Sequence, residues 1–257
     1  MFKITEKQYE YLLKYYIKKK SNFNFIDKLK LKYAIIRLKN SPIQYVVKNV
    51  DFYGYIYKVN KNTLIPRFET EQLVEETLKI IKNKFKENIK TLDVGTGSGC
   101  IGLTIKRLLP KSEVTLTDIS RKALKIAKKN AKNLDVTIIK TNLYDKLIKT
   151  NKKFNVIISN PPYISSKENI DDLVKKYEPK KALYASEDGL YYYKRILKNI
   201  NKILEKDYII AFEIGYKQAK KIKKIAEKYI RNCEVLIKKD LQQRDRMLFI
   251  YPRTWQN

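Results

Sequence analysis

Four of the seven glycines in this 257-residue chain, Gly95, Gly97, Gly99 and Gly102, fall within eight residues. They stand between an apolar run, Thr91 to Val94, and a run of helical character, Cys100 to Leu109. Glycine has no Cβ, so a cluster placed there lets the backbone turn sharply out of a strand, enter a helix and approach a ligand closely. The alternation of strand and helix continues on both sides. A helix is predicted over about Glu69 to Lys84, and strands over Glu113 to Asp118, Val136 to Lys140 and Asn155 to Ser159, with a helix over Ser120 to Lys132. This order is that of an α/β chain with a doubly wound, mostly parallel sheet. The tail adds a helix near Leu190 to Leu204, a strand at Tyr208 to Glu213, a helix at Lys217 to Tyr229 and two strands, Cys233 to Lys238 and Met247 to Tyr251. Two strands with no helix between them predict an antiparallel hairpin at the sheet edge.

Ahead of this unit, Tyr9, Leu12, Leu13, Tyr16, Leu29, Tyr33 and Ile36 recur at helical spacing, interrupted near Ser21 to Asn24. Residues 1–40 therefore read as a small helical N-terminal domain, expected to dock the substrate. Gln44 to Val59 alternates and carries Val, Tyr, Phe and Ile around Gly54, which predicts a β-hairpin within a linker over 41–66. The remaining residues, 67–257, form the third domain.

The chain carries 56 Lys and Arg against 27 Asp and Glu, a formal charge of +29 that favours acidic partners, nucleic acid among them. The lysines are spread along the whole chain and interleaved with Asn, so the charge does not by itself mark a nucleic-acid footprint. Histidine is absent, which excludes Ser-His and Cys-His catalysis and any His-ligated metal. Two cysteines, Cys100 and Cys233, are too few for a disulfide framework or a thiolate zinc site, so no metal is expected. The N-terminus is charged every few residues, like neither a secretory signal nor a membrane span. A cytoplasmic, monomeric protein is expected, no apolar face standing out in the sequence.

The glycine loop fits G-x-G-x-x-G, which alone does not separate a nicotinamide dinucleotide from S-adenosylmethionine. Asp118 ends the next strand, 19 residues after Gly99, where a carboxylate can accept both ribose hydroxyls of an adenosine. It could instead cap the following helix, although Ser120 is at least as well placed for that. Asp93, two residues before Gly95, can fix the loop or meet a ligand ammonium through water. An acid there followed by Gly-Thr-Gly-Ser-Gly resembles the first motif of class I S-adenosylmethionine-dependent methyltransferases.

The second loop is Asn160-Pro161-Pro162-Tyr163, which holds two of the chain's seven prolines. Two prolines after a strand make a rigid loop whose carbonyls no ladder consumes. The Asn160 side-chain oxygen and the Pro161 carbonyl can then accept both hydrogens of one planar NH2 group. Such a nitrogen has a delocalised lone pair, and paired acceptors align it and stabilise the positive charge that grows on it during attack on a methyl group. The proton leaves afterwards, so no imidazole base is needed. Tyr163 is expected to stack on the planar target. The exocyclic amine of adenine and the side-chain amide of glutamine both meet this description, and the loop alone does not choose between them.

Around these loops stand Ser41-Pro-Ile-Gln-Tyr45, Leu64-Ile-Pro-Arg-Phe-Glu-Thr-Glu71, Thr117-Asp-Ile-Ser120, Tyr177-Glu-Pro179, Asp188-Gly-Leu190, Phe212-Glu-Ile-Gly215 and Asp240-Leu-x-x-Arg-Asp-Arg246. Together and in order, from about residue 41 to 251, they resemble the release factor glutamine methyltransferase family. The resemblance implies a class I methyltransferase fold, S-adenosylmethionine as methyl donor, and methylation of the glutamine in the Gly-Gly-Gln motif of peptide chain release factors. It implies that Gly95, Thr96, Gly97, Ser98 and Gly99, with Asp93, cradle the donor's methionine part, and that Asp118 holds its ribose. Asn160 would meet both donor and amide, with Pro161, Pro162 and Tyr163 completing the substrate loop. Asn142 and Leu143 stand where the adenine is flanked, a place where many members carry an acid and a large aromatic. Arg67, Glu69 and Glu71 look like an interdomain, substrate-side motif, and equally like acids placed at a helix N-terminus. The first 40 residues match only in being helical. An adenine-specific DNA or RNA methyltransferase shares the Asn-Pro-Pro-Tyr loop, and the absence of a long target-recognition insertion counts against it.

Overall fold

The computed structural model describes residues 4–18, 21–86 and 88–256; residues 1–3 and 19–20 of the expected N-terminal domain lie outside them. Helix α1 (Glu6–Leu12) starts at a reciprocal cap, in which the Thr5 hydroxyl accepts from the Gln8 N–H and the Gln8 side chain accepts from the Thr5 N–H. A π turn, Leu13–Ile17, continues it. Helix α2 (Phe25–Leu38) opens on the same device, built from Asn24 and Asp27. Leu12, Tyr15, Ala34 and Leu38 close a small core together with Val46 and Val47. The last two belong to a short helix, α3 (Ile43–Val47), where alternation predicted strand. Tyr45 faces the main core while Val46 and Val47 face the N-terminal one. A helical turn can send neighbouring residues to two cores, whereas a strand would put Tyr45 and Val47 on one face.

The hairpin itself is β1 (Asn49–Phe52) and β2 (Tyr55–Lys58), paired in antiparallel register. Its turn residues Tyr53 and Gly54 both have positive φ, 51° and 75°, as a tight two-residue hairpin turn requires. Tyr57 buries its ring and bonds the Thr104 hydroxyl at 2.7 Å. The Asn130 side chain bonds both the N–H and the carbonyl of Lys58 and also the Ser98 carbonyl, so one amide ties the hairpin to the glycine loop.

Helix α4 (Phe68–Lys84) leads into the alternation β3 (Lys90–Val94), α5 (Cys100–Leu108), β4 (Glu113–Asp118), α6 (Arg121–Asn130), β5 (Val136–Lys140), α7 (Asp145–Ile148) and β6 (Phe154–Ser159). Short helices α8 (Asp172–Tyr177) and α9 (Lys180–Leu183) then precede α10 (Tyr191–Lys198), β7 (Leu204–Glu213), α11 (Ala219–Tyr229), β8 (Cys233–Lys239) and β9 (Asp245–Pro252). The strands form a seven-stranded sheet in the order β5-β4-β3-β6-β7-β9-β8, parallel from β5 to β7. The predicted edge hairpin is present, with the last strand, β9, inserted between β7 and β8.

The central strands are buried on both faces, which is why they read as continuous apolar runs. Val156, Ile158, Ile209 and Ala211 face the side covered by α4 and α5. Ile157, Ile210 and Phe212 face α10 and α11 through Tyr193, Ile196, Leu197, Ile222 and Ala226. The helix expected to run to Leu204 ends at Lys198, because Leu204 pairs with Phe154 and the Phe154 N–H donates to the Ile203 carbonyl. Among the described residues, no helix is long and apolar enough to cross a membrane.

Candidate active site

Strands β3 and β6 are neighbours, yet the chain leaves β3 toward β4 and β5 and departs from β6 toward β7. Their carboxyl ends therefore border a topological switch point, where an open α/β sheet forms a crevice. The glycine loop follows β3 and the Asn-Pro-Pro-Tyr loop follows β6. The Ser159 hydroxyl donates to the Val94 carbonyl at 2.6 Å and fastens the two strand ends together. A cavity of about 460 Å³ opens between the loops. Gly95, Thr96, Gly97, Ser98, Asp118, Asn142, Leu143, Asn160, Pro161 and Pro162 line it; Asp93, Gly99, Tyr163, Arg67 and Glu69 do not.

Gly95 and Gly97 have φ of 73° and 56°, and a Cβ built on either meets no atom within 4 Å. The loop is thus an open cradle that side chains would fill. Its shape is held from below by Asp93, whose Oδ2 accepts from the Thr96 hydroxyl at 2.6 Å and the Gly102 N–H at 3.0 Å. Asp93 is fully buried and its Oδ1 has no hydrogen-bond partner. Burial pushes this carboxyl up to about 6, against the two hydrogen bonds that favour its charged form. An unsatisfied buried anion under an open glycine cradle suits a ligand that carries positive charge, as the sulfonium and ammonium of S-adenosylmethionine do. The group implied by the sequence therefore fits the residues present.

On the neighbouring strand, Asp118 accepts from the Gly97 N–H at 3.0 Å and the Ser120 N–H at 2.7 Å, and burial raises its carboxyl too. Ser120, not Asp118, caps α6, its hydroxyl accepting from the Ala123 N–H. Asn142 donates to Asp145 at 3.2 Å, and Leu143 holds a left-handed φ of 49°, a strained conformation for a bulky side chain. Tyr191, Tyr192 and Arg195 of α10 complete this wall. In the sequence they carried no sign beyond helical periodicity.

At the other loop the Asn160 Nδ2 donates to the Thr70 hydroxyl oxygen at 3.0 Å and to Glu213 Oε2 at 2.9 Å. Thr70 donates its own proton to the same Oε2 at 2.5 Å. Glu213 Oε1 accepts from the Tyr163 hydroxyl at 3.1 Å, and the Glu213 backbone carbonyl accepts from the Tyr193 hydroxyl at 2.7 Å. Arg246, 3.4 Å from the Tyr163 hydroxyl, sets a positive charge near this buried carboxylate and pairs with Asp240. Burial nonetheless raises the Glu213 carboxyl above the ordinary range. Tyr163 thus spends its hydroxyl on Glu213 and its ring against the sheet core rather than on the cavity wall. Among the described residues no hydrogen bond is taken up by Asn160 Oδ1 or by the Pro161 carbonyl.

Arg67 pairs with the buried Glu178, which also accepts from the Ile65 N–H at 3.0 Å, so this motif secures the chain entering α4 against the segment after α8. Leu64, Pro66 and Thr70 of that stretch line the cavity, and Thr70 also bonds Asn160. Neither Thr70 nor Glu213 was singled out from the sequence as a site residue. The available signal was a carboxylate at the carboxyl end of an otherwise apolar strand, Ile209-Ile-Ala-Phe-Glu213.

Residues 70–189 match the family described as "Methyltransferase small domain". A release factor glutamine methyltransferase of Bacillus cereus is 38% identical over 213 residues, covering 81% of this chain and 75% of the relative. One of Mycoplasma mycoides is 40% identical over 201 residues, covering 76% of this chain and 70% of the relative. The fold is shared with a methyltransferase from Pyrococcus furiosus at a TM-score of 0.56 and 18% identity, covering 86% of this chain and 97% of that one.

Proposed function

The chain belongs to the release factor glutamine methyltransferase family, and from that premise we propose that it methylates the side-chain amide nitrogen of the Gly-Gly-Gln glutamine in peptide chain release factors, using S-adenosylmethionine. The observation that carries this reading is the pair of unconsumed acceptors, Asn160 Oδ1 and the Pro161 carbonyl, in two residues that line the cavity holding the glycine cradle. When bound, S-adenosylmethionine supplies an electrophilic methyl group on a sulfonium. Gly95 to Gly99 would receive its methionine part, Asp118 its ribose hydroxyls, and Asn142 and Leu143 its adenine.

A glutamine amide is a poor nucleophile because its lone pair is shared with the carbonyl. Holding both N–H groups on Asn160 and Pro161 orients the nitrogen, and it offers partial negative charge where positive charge develops. As the methyl group left the donor's sulfur for this nitrogen, Asn160 and the Pro161 carbonyl would keep the amide in line with it. The nitrogen then loses one proton to solvent, restoring a neutral amide. Prolines at 161 and 162 keep this geometry rigid without needing backbone donors of their own.

The N-terminal helices serve as the docking unit for the release factor body. Phe25, Ile26, Leu29, Tyr33 and Ile36, all on α2, are 50% to 75% exposed and offer it an apolar face. The expectation that no apolar face stands out is corrected by this helix, whose stripe turns away from the small core that Ala34 and Leu38 enter. The test is mass spectrometry of an unmethylated release factor incubated with the protein and S-adenosylmethionine, beside a Gly-Gly-Ala variant. One added methyl on that glutamine, and none on the variant, is the expected result. Methyl transfer to nucleic acid instead would move the protein to the adenine-modifying class.

A further inference from the structure

Asparagine's amide is nearly symmetric in shape, so its oxygen and nitrogen exchange places by rotation about the last side-chain bond. Only one of the two orientations suits a substrate NH2, which needs an acceptor. The Asn-Pro-Pro-Tyr sequence does not determine which one is present. In this fold the buried end of the Asn160 amide meets Glu213 Oε2 and the Thr70 oxygen. Glu213 takes the Thr70 proton on Oε2 and the Tyr163 proton on Oε1 with Arg246 close by, the surroundings of an ionised carboxylate, which can only accept, and Thr70 has no second proton to give. Both groups therefore take a hydrogen from the Asn160 nitrogen, which turns Oδ1 toward the cavity. We propose that Glu213, assisted by Thr70, is a positioning residue that locks the Asn160 amide in the acceptor-outward orientation.

The lock is itself supported. Glu213 is 2% exposed, its second oxygen is held by the Tyr163 hydroxyl, and its backbone carbonyl by Tyr193. Arg246 supplies compensating charge through Tyr163 and also donates to the Ile214 carbonyl at 3.2 Å. Both acceptor sites of Oε2 are taken, one by Thr70 and one by Asn160, and Glu213 is not among the residues lining the cavity. It acts through Asn160 and touches no reactant.

This assignment deepens the glutamine reading and rests on it for its kinetic consequence, so the test has two arms. Glu213→Gln preserves volume but offers an NH2 as well as an oxygen to Asn160, so the amide no longer has one favoured orientation. In the first arm, steady-state methylation of a release factor by Glu213→Gln is expected to lose about tenfold in kcat with KM little changed. The same substitution in an Asn160→Ala background is expected to cost nothing further, because there is no amide left to orient. Wild-type kcat in the single variant, or an equal further loss in the double variant, overturns the lock. In the second arm, the Asn160 side-chain NH2 of the free protein, labelled with 15N, is expected to exchange slowly with solvent in the wild type and at least tenfold faster in Glu213→Gln. Equal exchange in the two overturns the lock whatever the substrate is. Failure of the glutamine reading is a separate result, namely no methyl transfer to glutamine by the unaltered protein.

Discussion

At the scale of single residues, the site is built from groups whose protonation and orientation are set by burial. Asn160→Ala leaves Glu213 bonded to Thr70 and Tyr163, so the fold is expected to survive. Its kcat for methyl transfer is expected to fall by on the order of a hundredfold, the usual consequence of removing a hydrogen-bond partner of the transition state. Steady-state kinetics beside a thermal melt check both parts. Asp93 gives a prediction about pH. Its carboxyl titrates near 6 in the folded chain, against about 3.8 when unfolded. Between those values the folded state holds the proton more tightly, so this group's contribution to stability falls as pH rises through the window and is flat above it. Asp93→Asn removes that term while keeping an acceptor for Thr96 and Gly102. The stability of Asp93→Asn relative to wild type is thus expected to improve by about 2 kcal/mol between pH 4 and pH 7. Denaturant melts at both pH values measure it, and a constant difference would contradict the assignment.

At the scale of elements, the loops work because distant segments brace them. The Gln218 side chain donates to the Tyr163 carbonyl at 2.9 Å and the Asp188 carbonyl at 3.1 Å, joining the end of the Asn-Pro-Pro-Tyr loop to the turn before α10. Gly189 in that turn has φ of 82°, and a Cβ on it would lie 2.0 Å from the Tyr163 carbonyl oxygen. Gly189→Ala is expected to cost about 2 kcal/mol, combining left-handed strain with a backbone clash. It should also lower kcat by displacing the loop, which melts and kinetics test together. Most elements of this layer were legible in the sequence, since buried parallel strands and amphipathic helices have different periods. The exceptions lie where periodicity is shared or split. Ile43–Val47 serves two cores at once, and the helical spacing that ran on to Leu204 gives way to a 3-10 turn at Ile200–Lys202 and to strand pairing at Leu204.

At the scale of the whole molecule, the N-terminal helices close a small core of their own beside the sheet. The sheet holds the cavity, and the N-terminal helices present apolar side chains to solvent beside a chain of +29 formal charge. Leu29, Tyr33 and Ile36 are about half exposed, so replacing all three by Ser is expected to lower stability by about 1–2 kcal/mol without unfolding the chain. KM for an intact release factor is expected to rise about tenfold, and activity on a short Gly-Gly-Gln peptide to stay unchanged, because the peptide has no body to dock. An unchanged KM for the intact factor would place docking elsewhere.

The sequence by itself determined the alternation, the two loops and the residues in them, because backbone requirements for Gly and Pro and the periods of buried strands are local properties. It therefore determined that Gly95 to Gly99 and Asn160 to Pro162 share the carboxyl edge of one sheet. It did not determine which end of the Asn160 amide faces the cavity, that Tyr163 turns from the cavity to Glu213, or that Thr70 rather than Glu69 reaches the site. Those depend on contacts between residues 90 and 53 positions apart, Thr70 and Glu213 with Asn160. Hydrogen-bond polarity at a buried point is set by all the groups that converge there, and only the folded chain brings them together.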